Sequence, residues 1–370
     1  MSSLFDPIQA GHLALANRIA MAPLTRNRSP GAVPGPLTAE YYTQRATAGL
    51  LITEATAISQ QGQGYADVPG LYGSDQLDGW QKVTQSVHRA GGKIVVQLWH
   101  VGRVSHTSLQ PGEQAPVAPS AIAAKTKTYV LDHATGQGHF VPTSAPRALE
   151  STELPGIVHD YQRAARSAVE DGGFDGVEIH AANGYLLDQF LKTGTNRRTD
   201  DYGGSIENRA RLTLEVVRAI TDAVGAGKVG IRLSPVTPAN DISDDDPQPL
   251  FEYLARQLAP LGLAYLHIIE GATGGPREIV DRPFDYAAFK TAYRTAGGKG
   301  AWMVNNGYTR ELAEQAVAEG HADIVAFGKA FISNPDLVAR LREDAPLNPW
   351  DQTTFYGGGA KGYTDYPVLA

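Results

Sequence analysis

Gly176-Val177-Glu178-Ile179-His180-Ala181-Ala182-Asn183-Gly184-Tyr185-Leu186-Leu187-Asp188-Gln189-Phe190 is the stretch from which the rest of the chain is read. Gly176 to Ile179 is short, β-favouring and preceded by the turn Asp171-Gly172-Gly173, which predicts a strand, while Leu186 to Leu191 predicts the apolar start of a helix. His180 and Asn183 lie between them, three apart at a strand end, so a connection that coils in a helical sense aims both N–H donors at one point. Tyr185 brings a proton to the same neighbourhood. Two donors and a weak acid that converge suit a reaction that pushes negative charge onto a substrate oxygen and then needs a proton. A strand-end histidine that only completes a structural hydrogen bond is the competing reading.

Outward from that stretch the same alternation repeats. Strands are predicted at 18–23, 50–55, 93–99, 176–180, 229–233, 264–269, 301–304 and 323–327. Helices are predicted at 38–46, with Thr38 as N-cap, and at 75–89, 154–171, 205–224, 249–261, 286–296, 310–319 and 335–342. Such alternation over 370 residues predicts a (β/α)8 TIM barrel, with its active site at the C-terminal ends of the strands. A doubly wound sheet is the alternative, but no Gly-x-Gly-x-x-Gly turn follows the first strand. The N-terminal lead-in reads as a small cap. Residues from about 100 to 150 are rich in Pro, Ser, Thr, Gly and Ala, with a hairpin around Asp132 to Gly136, and read as a lid inserted after the third strand of one domain spanning 1–370.

Composition narrows the chemistry. A net charge of -7 and the lack of any Lys/Arg block disfavour nucleic acid and anionic membranes as partners, which leaves a small molecule. The absence of cysteine excludes disulfides, thiolate metal sites, cysteine nucleophiles and cysteine-ligated iron–sulfur clusters. No apolar run approaches the roughly 18 residues of a membrane span, and the N-terminus lacks a signal-peptide pattern, so a cytoplasmic location is expected.

The strand ends form one chemical set. The first ends at Thr25, the second at Ala57, the third at Gln97 and Trp99, the fourth at His180, Asn183 and Tyr185, and the fifth at Arg232. Asn305-Asn306-Gly307 follows the seventh and Gly328-Lys329 the eighth, where barrels of this kind bind phosphate through backbone N–H groups. The plainer reading is that these glycines only make turns. Arg232 on a barrel strand needs a buried anion or a rim exit. A flavin supplies the anion, with Gln97 on its pyrimidine edge and Thr25 at the carbonyl next to N5, and one phosphate site with one pyrimidine site points to FMN.

Met21-Ala22-Pro23-Leu24-Thr25-Arg26, Val96-Gln97-Leu98-Trp99-His100, Gly173 to Phe190, Asp201-Tyr202-Gly203-Gly204-Ser205-Ile206-Glu207-Asn208-Arg209 and Gly362-Tyr363-Thr364-Asp365-Tyr366-Pro367 resemble the old yellow enzyme family, particularly its N-ethylmaleimide reductase-like bacterial branch. The resemblance covers nearly the whole chain. It implies a (β/α)8 barrel that holds FMN, is reduced by NADPH or NADH, and reduces the C=C bond of α,β-unsaturated carbonyl, nitro or maleimide compounds. It further implies that Pro23, Leu24, Thr25, Ala57, Gln97, His180 and Arg232 contact the flavin, with Asn306, Gly307, Gly328 and Lys329 around its phosphate. By the same resemblance His180 and Asn183 grip the substrate oxygen, Tyr185 protonates the α-carbon opposite the flavin hydride, and Tyr65, Trp99 and Tyr356 line the substrate pocket. Monomer or homodimer is the assembly expected.

Asn183 stands where several bacterial relatives have a second histidine, Lys329-Ala330 stands where many have Arg-Pro, and the lid from Ala121 to Val141 matches poorly. In that lid Lys125 and Lys127 read either as contacts for the 2′-phosphate of NADPH or as a solvated basic turn. The rival readings are a dienoyl-CoA reductase or amine dehydrogenase, disfavoured by the absence of cysteine; a phosphate-binding barrel isomerase or aldolase, which leaves Thr25, Gln97 and Arg232 without work; and a binding scaffold.

Overall fold

The computed structural model describes residues 2–132 and 134–369. Eight parallel strands, β1 (Ile19–Met21), β2 (Leu50–Ala57), β3 (Ile94–Trp99), β4 (Gly176–Ala181), β5 (Val229–Leu233), β6 (Tyr265–Ile269), β7 (Ala301–Asn305) and β8 (Ile324–Phe327), close into a barrel in sequence order. Every residue of these strands is buried, since helices cover the outside and side chains fill the inside, which is why they read as nearly continuous apolar runs. The (β/α)8 expectation holds.

The helices follow the predicted alternation. α1 (Pro36–Thr43), α2 (Ser74–Arg89) and α3 (Leu154–Glu170) follow the first three strands; α4 (Leu186–Leu191) and α5 (Ile206–Val224) both follow β4. Then come α6 (Pro247–Leu258), α7 (Tyr286–Thr295) and α8 (Arg310–Ala318), and β8 is followed by α9 (Lys329–Ser333) and α10 (Leu337–Glu343). Thr38 is not the N-cap of α1. Gly35 holds that position, Pro36 fixes the first helical turn, and the Thr38 hydroxyl accepts from the Gly35 N–H at 3.3 Å. Ser205 does cap α5, accepting from the Asn208 N–H at 3.3 Å.

The barrel interior is layered. An N-terminal hairpin, Ile8–Ala10 against Leu13–Leu15, closes the bottom, where Ala10, Leu13 and Leu15 pack with Leu50, Val95, Tyr265 and Met303. Gly230 leaves room for Tyr265 there, because a β-carbon at Gly230 would lie 2.2 Å from the tyrosine ring. Higher up the interior turns polar, with Gln97, Glu178, Arg232 and His267 at neighbouring registers of β3 to β6.

The insertion after β3 covers the mouth. Its hairpin pairs Lys127–Leu131 with Gly138–Pro142; of the turn expected around Asp132 to Gly136, His133 lies outside the described residues. The hairpin is tied down by the Ala66 N–H donating to Tyr129 O at 2.8 Å and by the Thr128 hydroxyl donating to Gly64 O. Strand alternation buries Thr128 and Val130 and leaves Lys127, Tyr129 and the facing Phe140 toward the mouth. At the C-terminal end Arg26 donates to Phe355 O at 2.9 Å and Gly362 O at 2.7 Å, and Arg28 donates to Gly359 O at 3.0 Å and Thr354 O at 2.9 Å. These two guanidiniums fasten the last segment across the barrel top.

Candidate active site

A cavity of about 650 Å³ opens at the C-terminal ends of the strands. Its wall runs from Pro23, Leu24 and Thr25 past Asn183, Tyr185 and Arg232 to Asn306, Gly307, Gly328 and Lys329. Tyr65 and Tyr356 also line it, together with Tyr129, Phe140 and Phe355, which the sequence reading did not single out. Gln97, Trp99 and His180 are buried and do not line the cavity: Trp99 stacks on Tyr65 at 5.6 Å, both Trp99 (4.9 Å) and His180 (5.0 Å) pack edge-on to Tyr185, and Gln97 donates to Glu178 at 2.7 Å. Ala57 is buried in β2, and its backbone N–H and C=O bond Pro69 and Leu71 at 2.9 and 2.8 Å, so only its methyl group and a second lone pair remain for a ligand.

The turn after β4 brings Asn183 and Tyr185 to the cavity and sets the Tyr185 ring edge-on to His180. Asn183 and Gly184 both take left-handed backbone, φ 58° and 75°, which folds the chain back so that Tyr185 becomes the N-cap of α4. A β-carbon at Gly184 would lie 2.7 Å from Ala239 O. The turn is held by Asp188, whose carboxylate accepts from the Gly184 N–H at 2.9 Å and pairs with buried Lys192 at 3.1 Å. Ser234 accepts from the Asn183 N–H at 2.8 Å, and Asn240 donates to Asn183 O at 2.8 Å.

Side-chain orientation is fixed as well. The Thr237 hydroxyl lies 3.2 Å from Thr273 Oγ1, and the Thr273 hydroxyl donates to Asn183 Oδ1 at 2.6 Å, so the Nδ2 amide hydrogens remain as donors on the cavity side. Thr273→Val should cost roughly 0.5–1.5 kcal/mol of that orientation, lowering kcat/KM for an enone by about 2- to 13-fold. Steady-state kinetics on the purified variant check this, and an unchanged kcat/KM would remove Thr273 from the site.

The electrostatics suit developing negative charge. Burial, then the nearby Arg232 and His267, holds His180 well below the usual histidine range, so it is a neutral donor at physiological pH. Burial raises the Tyr185 hydroxyl, which therefore keeps its proton. Arg232 is brought down to about 10 by burial, partly offset by Glu178, and so stays cationic. Its Nη2 donates to Asn305 Oδ1 at 2.7 Å, while its Nε, like His180 Nδ1, is buried without a partner among the described residues.

At the other end of the cavity Asn306 and Gly307 form a left-handed turn, φ 103° and 66°. The Asn306 side chain is committed to the β6–α7 loop, donating to Glu270 O at 2.7 Å and Ala272 O at 2.9 Å, so it offers a ligand only its backbone. The Lys329 ammonium sits 5.4 Å from the Trp350 ring centroid. Arg277, absent from the sequence reading, lays its methylenes beside this turn, 3.5 Å from where a Gly307 β-carbon would be, while its guanidinium pairs with Glu270 at 3.0 Å. A buried cation with an orphaned N–H at one end and glycine turns with Lys329 at the other fit a flavin mononucleotide.

Fold and site define a flavin-dependent barrel oxidoreductase. The chain belongs to the NADH:flavin oxidoreductase / NADH oxidase family, whose model matches residues 3–348, and within it to the old yellow enzymes. It is 45% identical over 372 residues to 12-oxophytodienoate reductase 1 of Oryza sativa subsp. japonica, covering 99% of this chain and 93% of the relative. Among solved structures it is similar to morphinone reductase in complex with tetrahydroNAD, at 49% identity and a TM-score of 0.93 over 100% of this chain and 98% of that one. The old yellow enzyme homologue from Zymomonas mobilis is 42% identical with a TM-score of 0.93, each chain covered in full at 100%. The enzyme uses FMN and a nicotinamide reductant. No described helix is long and apolar enough to cross a membrane.

Proposed function

We propose that the protein is an NAD(P)H-dependent ene-reductase in which His180 and Asn183 hold the oxygen of an activated alkene and Tyr185 protonates its α-carbon. When bound, FMN would supply the hydride that the alkene's β-carbon receives, with the nicotinamide as its source. Thr25 and Gln97 would meet the flavin ring, Arg232 its pyrimidine side, and the turns at Gly307 and Gly328 with Lys329 its phosphate. The supporting observation is Asn183, Tyr185 and Arg232 on one cavity wall, with a neutral His180 packed edge-on to the protonated Tyr185.

Each residue's part follows from its environment. His180 and Asn183 present hydrogens to the carbonyl or nitro oxygen, which gains charge as the β-carbon takes hydride. Tyr185 then gives its proton to the α-carbon and regains one from solvent through Tyr65, whose hydroxyl is 3.2 Å away. Tyr65 and Trp99 stack to make a flat wall, and Tyr356, 53% exposed, stands at the entrance, so selection works by shape and stacking. The nicotinamide supply such a cycle needs agrees with a cytoplasmic location. An isomerase or aldolase reading has no use for Gln97 and Arg232 and is set aside by the family.

The test is a visible spectrum of the purified protein, followed by anaerobic NADPH and then 2-cyclohexenone in the same cuvette. A yellow protein that bleaches and recolours meets the proposal; one that bleaches and does not recolour with the enone rejects alkene reduction.

The lid carries a smaller prediction. Lys127 lines the cavity beside Tyr129 and Phe140, whereas the backbone N–H of Lys125 donates to Asp241 at 3.2 Å and its side chain is outside the cavity wall. Lys127→Ala should weaken NADPH about 2- to 5-fold, the range of an exposed ion pair, and leave NADH unchanged. Stopped-flow flavin reduction with each cofactor measures this, and equal losses with both would assign Lys127 to general packing.

A further inference from the structure

Below the cavity lies a buried polar cluster in which the mechanism above uses Gln97 and Arg232 but leaves Glu178 and His267 without a part. The Glu178 carboxylate is fully buried and accepts from Gln97 Nε2 at 2.7 Å through one oxygen and bonds His267 Nδ1 at 2.8 Å through the other. Arg232 stands on the neighbouring strand, opposite His180 and on the same face as Glu178, and the Tyr265 hydroxyl is buried without a partner among the described residues. Four strands supply these groups, β3 to β6, at neighbouring registers. A fully buried carboxylate with no solvent path is costly unless it is fully engaged, so a structural role alone is expensive where an apolar side chain would pack as well.

The hydrogen-bond logic gives the cluster a purpose. An ionised carboxylate only accepts, so the amide of Gln97 has to turn Nε2 toward Glu178. That leaves Gln97 Oε1 without a protein partner among the described residues, and one Nε2 hydrogen unspent. The free edge is then an acceptor beside a donor. A uracil-type ring edge, with an N–H between two carbonyls, is its complement, whereas the flipped amide would set donor against donor. Glu178 and Arg232 also point from adjacent strands into the same barrel interior, so a carboxylate there offsets the guanidinium's pull on an electron-rich ring.

We propose that Glu178 is a positioning residue for the cofactor: it locks the Gln97 amide in the orientation that reads the flavin pyrimidine edge and moderates the charge of Arg232 beneath it. This rests on the flavin site proposed above. His267 anchors the far carboxylate oxygen, so that Glu178 is held from both sides.

The experiment is a double-mutant cycle of Glu178→Gln and Gln97→Met, read by FMN fluorescence quenching on titrating apoprotein and by dye-equilibrated reduction of bound FMN. Glu178→Gln should weaken FMN binding about tenfold in the wild-type background and leave it nearly unchanged in the Gln97→Met background. Removing the negative charge should also favour the reduced cofactor about tenfold, a rise of about 30 mV for a two-electron couple. Glu178→Asp keeps the charge with a shorter reach, so it should lose FMN affinity and keep the potential; it also serves if Glu178→Gln does not fold. Equal losses of FMN affinity in both backgrounds with an unmoved potential would overturn the proposal and make Glu178 a packing residue. If the wild-type apoprotein does not bind FMN, it is the flavin site itself that fails, which is a separate result.

Discussion

Tyr185→Phe should slow reduction of an enone by about 10²- to 10⁴-fold, the range for losing a general acid, while flavin reduction by the nicotinamide stays close to wild type. The substitution keeps the ring that packs edge-on against Trp99 at 4.9 Å and His180 at 5.0 Å, so the pocket keeps its shape. What goes is one hydroxyl, bonded to Tyr65 at 3.2 Å and held in its protonated form by burial. A nitroalkene provides the internal control. Its product anion is stable enough to leave the site and take a proton from water, so the variant should reduce nitroalkenes at a nearly normal rate. Anaerobic stopped-flow reoxidation with 2-cyclohexenone and with a nitrostyrene distinguishes the cases, and equal losses on both substrates would show that Tyr185 is not the specific donor.

His180→Ala should cost about 2.7–4 kcal/mol at the transition state, as for loss of one oxyanion donor, or about 10²- to 10³-fold in the enone step. The loss should fall on that step more heavily than on flavin reduction. Asn183 remains, fixed by Thr273, and does not titrate. Because burial keeps His180 neutral well below the usual range, the enone KM should be flat from pH 6 to 9 in the wild type. The stability consequence has a definite sign. An unfolded histidine takes a proton below about pH 6.5 and the folded one does not, so this contribution is present above that pH and is lost as pH falls below it. Equal losses in both half-reactions, or a KM that follows a histidine titration, would contradict the role assigned to His180.

The barrel was legible because its strands are short apolar runs separated by amphipathic helices, and that pattern is local. The strand end at His180 and the helix start after Tyr185 were legible for a similar reason, but the connection expected to coil in a helical sense passes instead through left-handed backbone at Asn183 and Gly184. Boundaries were less so. Thr38 has an N-cap's chemistry, but Pro36 fixes the backbone one turn earlier, and α9 is too short to show periodicity.

What the sequence hid is what long-range packing assembles. Arg26 and Arg28 read as part of a loop, yet they bind backbone oxygens more than 320 residues away and so carry Phe355 and Tyr356 to the cavity. Thr273 and Arg277 sit in a loop without pattern, and nothing local announces that one turns Asn183 and the other stands by Gly307. Glu178 and His267 did leave a signal. Each is an ionisable residue in the middle of an otherwise apolar barrel strand, and Glu178 is two residues before His180, hence on the same face.

The most direct test of the account is the fate of the hydrogens. Reduction of an α-substituted cyclic enone with a nicotinamide deuterated at the transferring C4 position, analysed by NMR of the product, should place deuterium on the β-carbon and the hydrogen taken up at the α-carbon on the opposite face. Deuterium missing from the β-carbon, or both hydrogens on one face, would contradict hydride delivery from FMN opposite Tyr185.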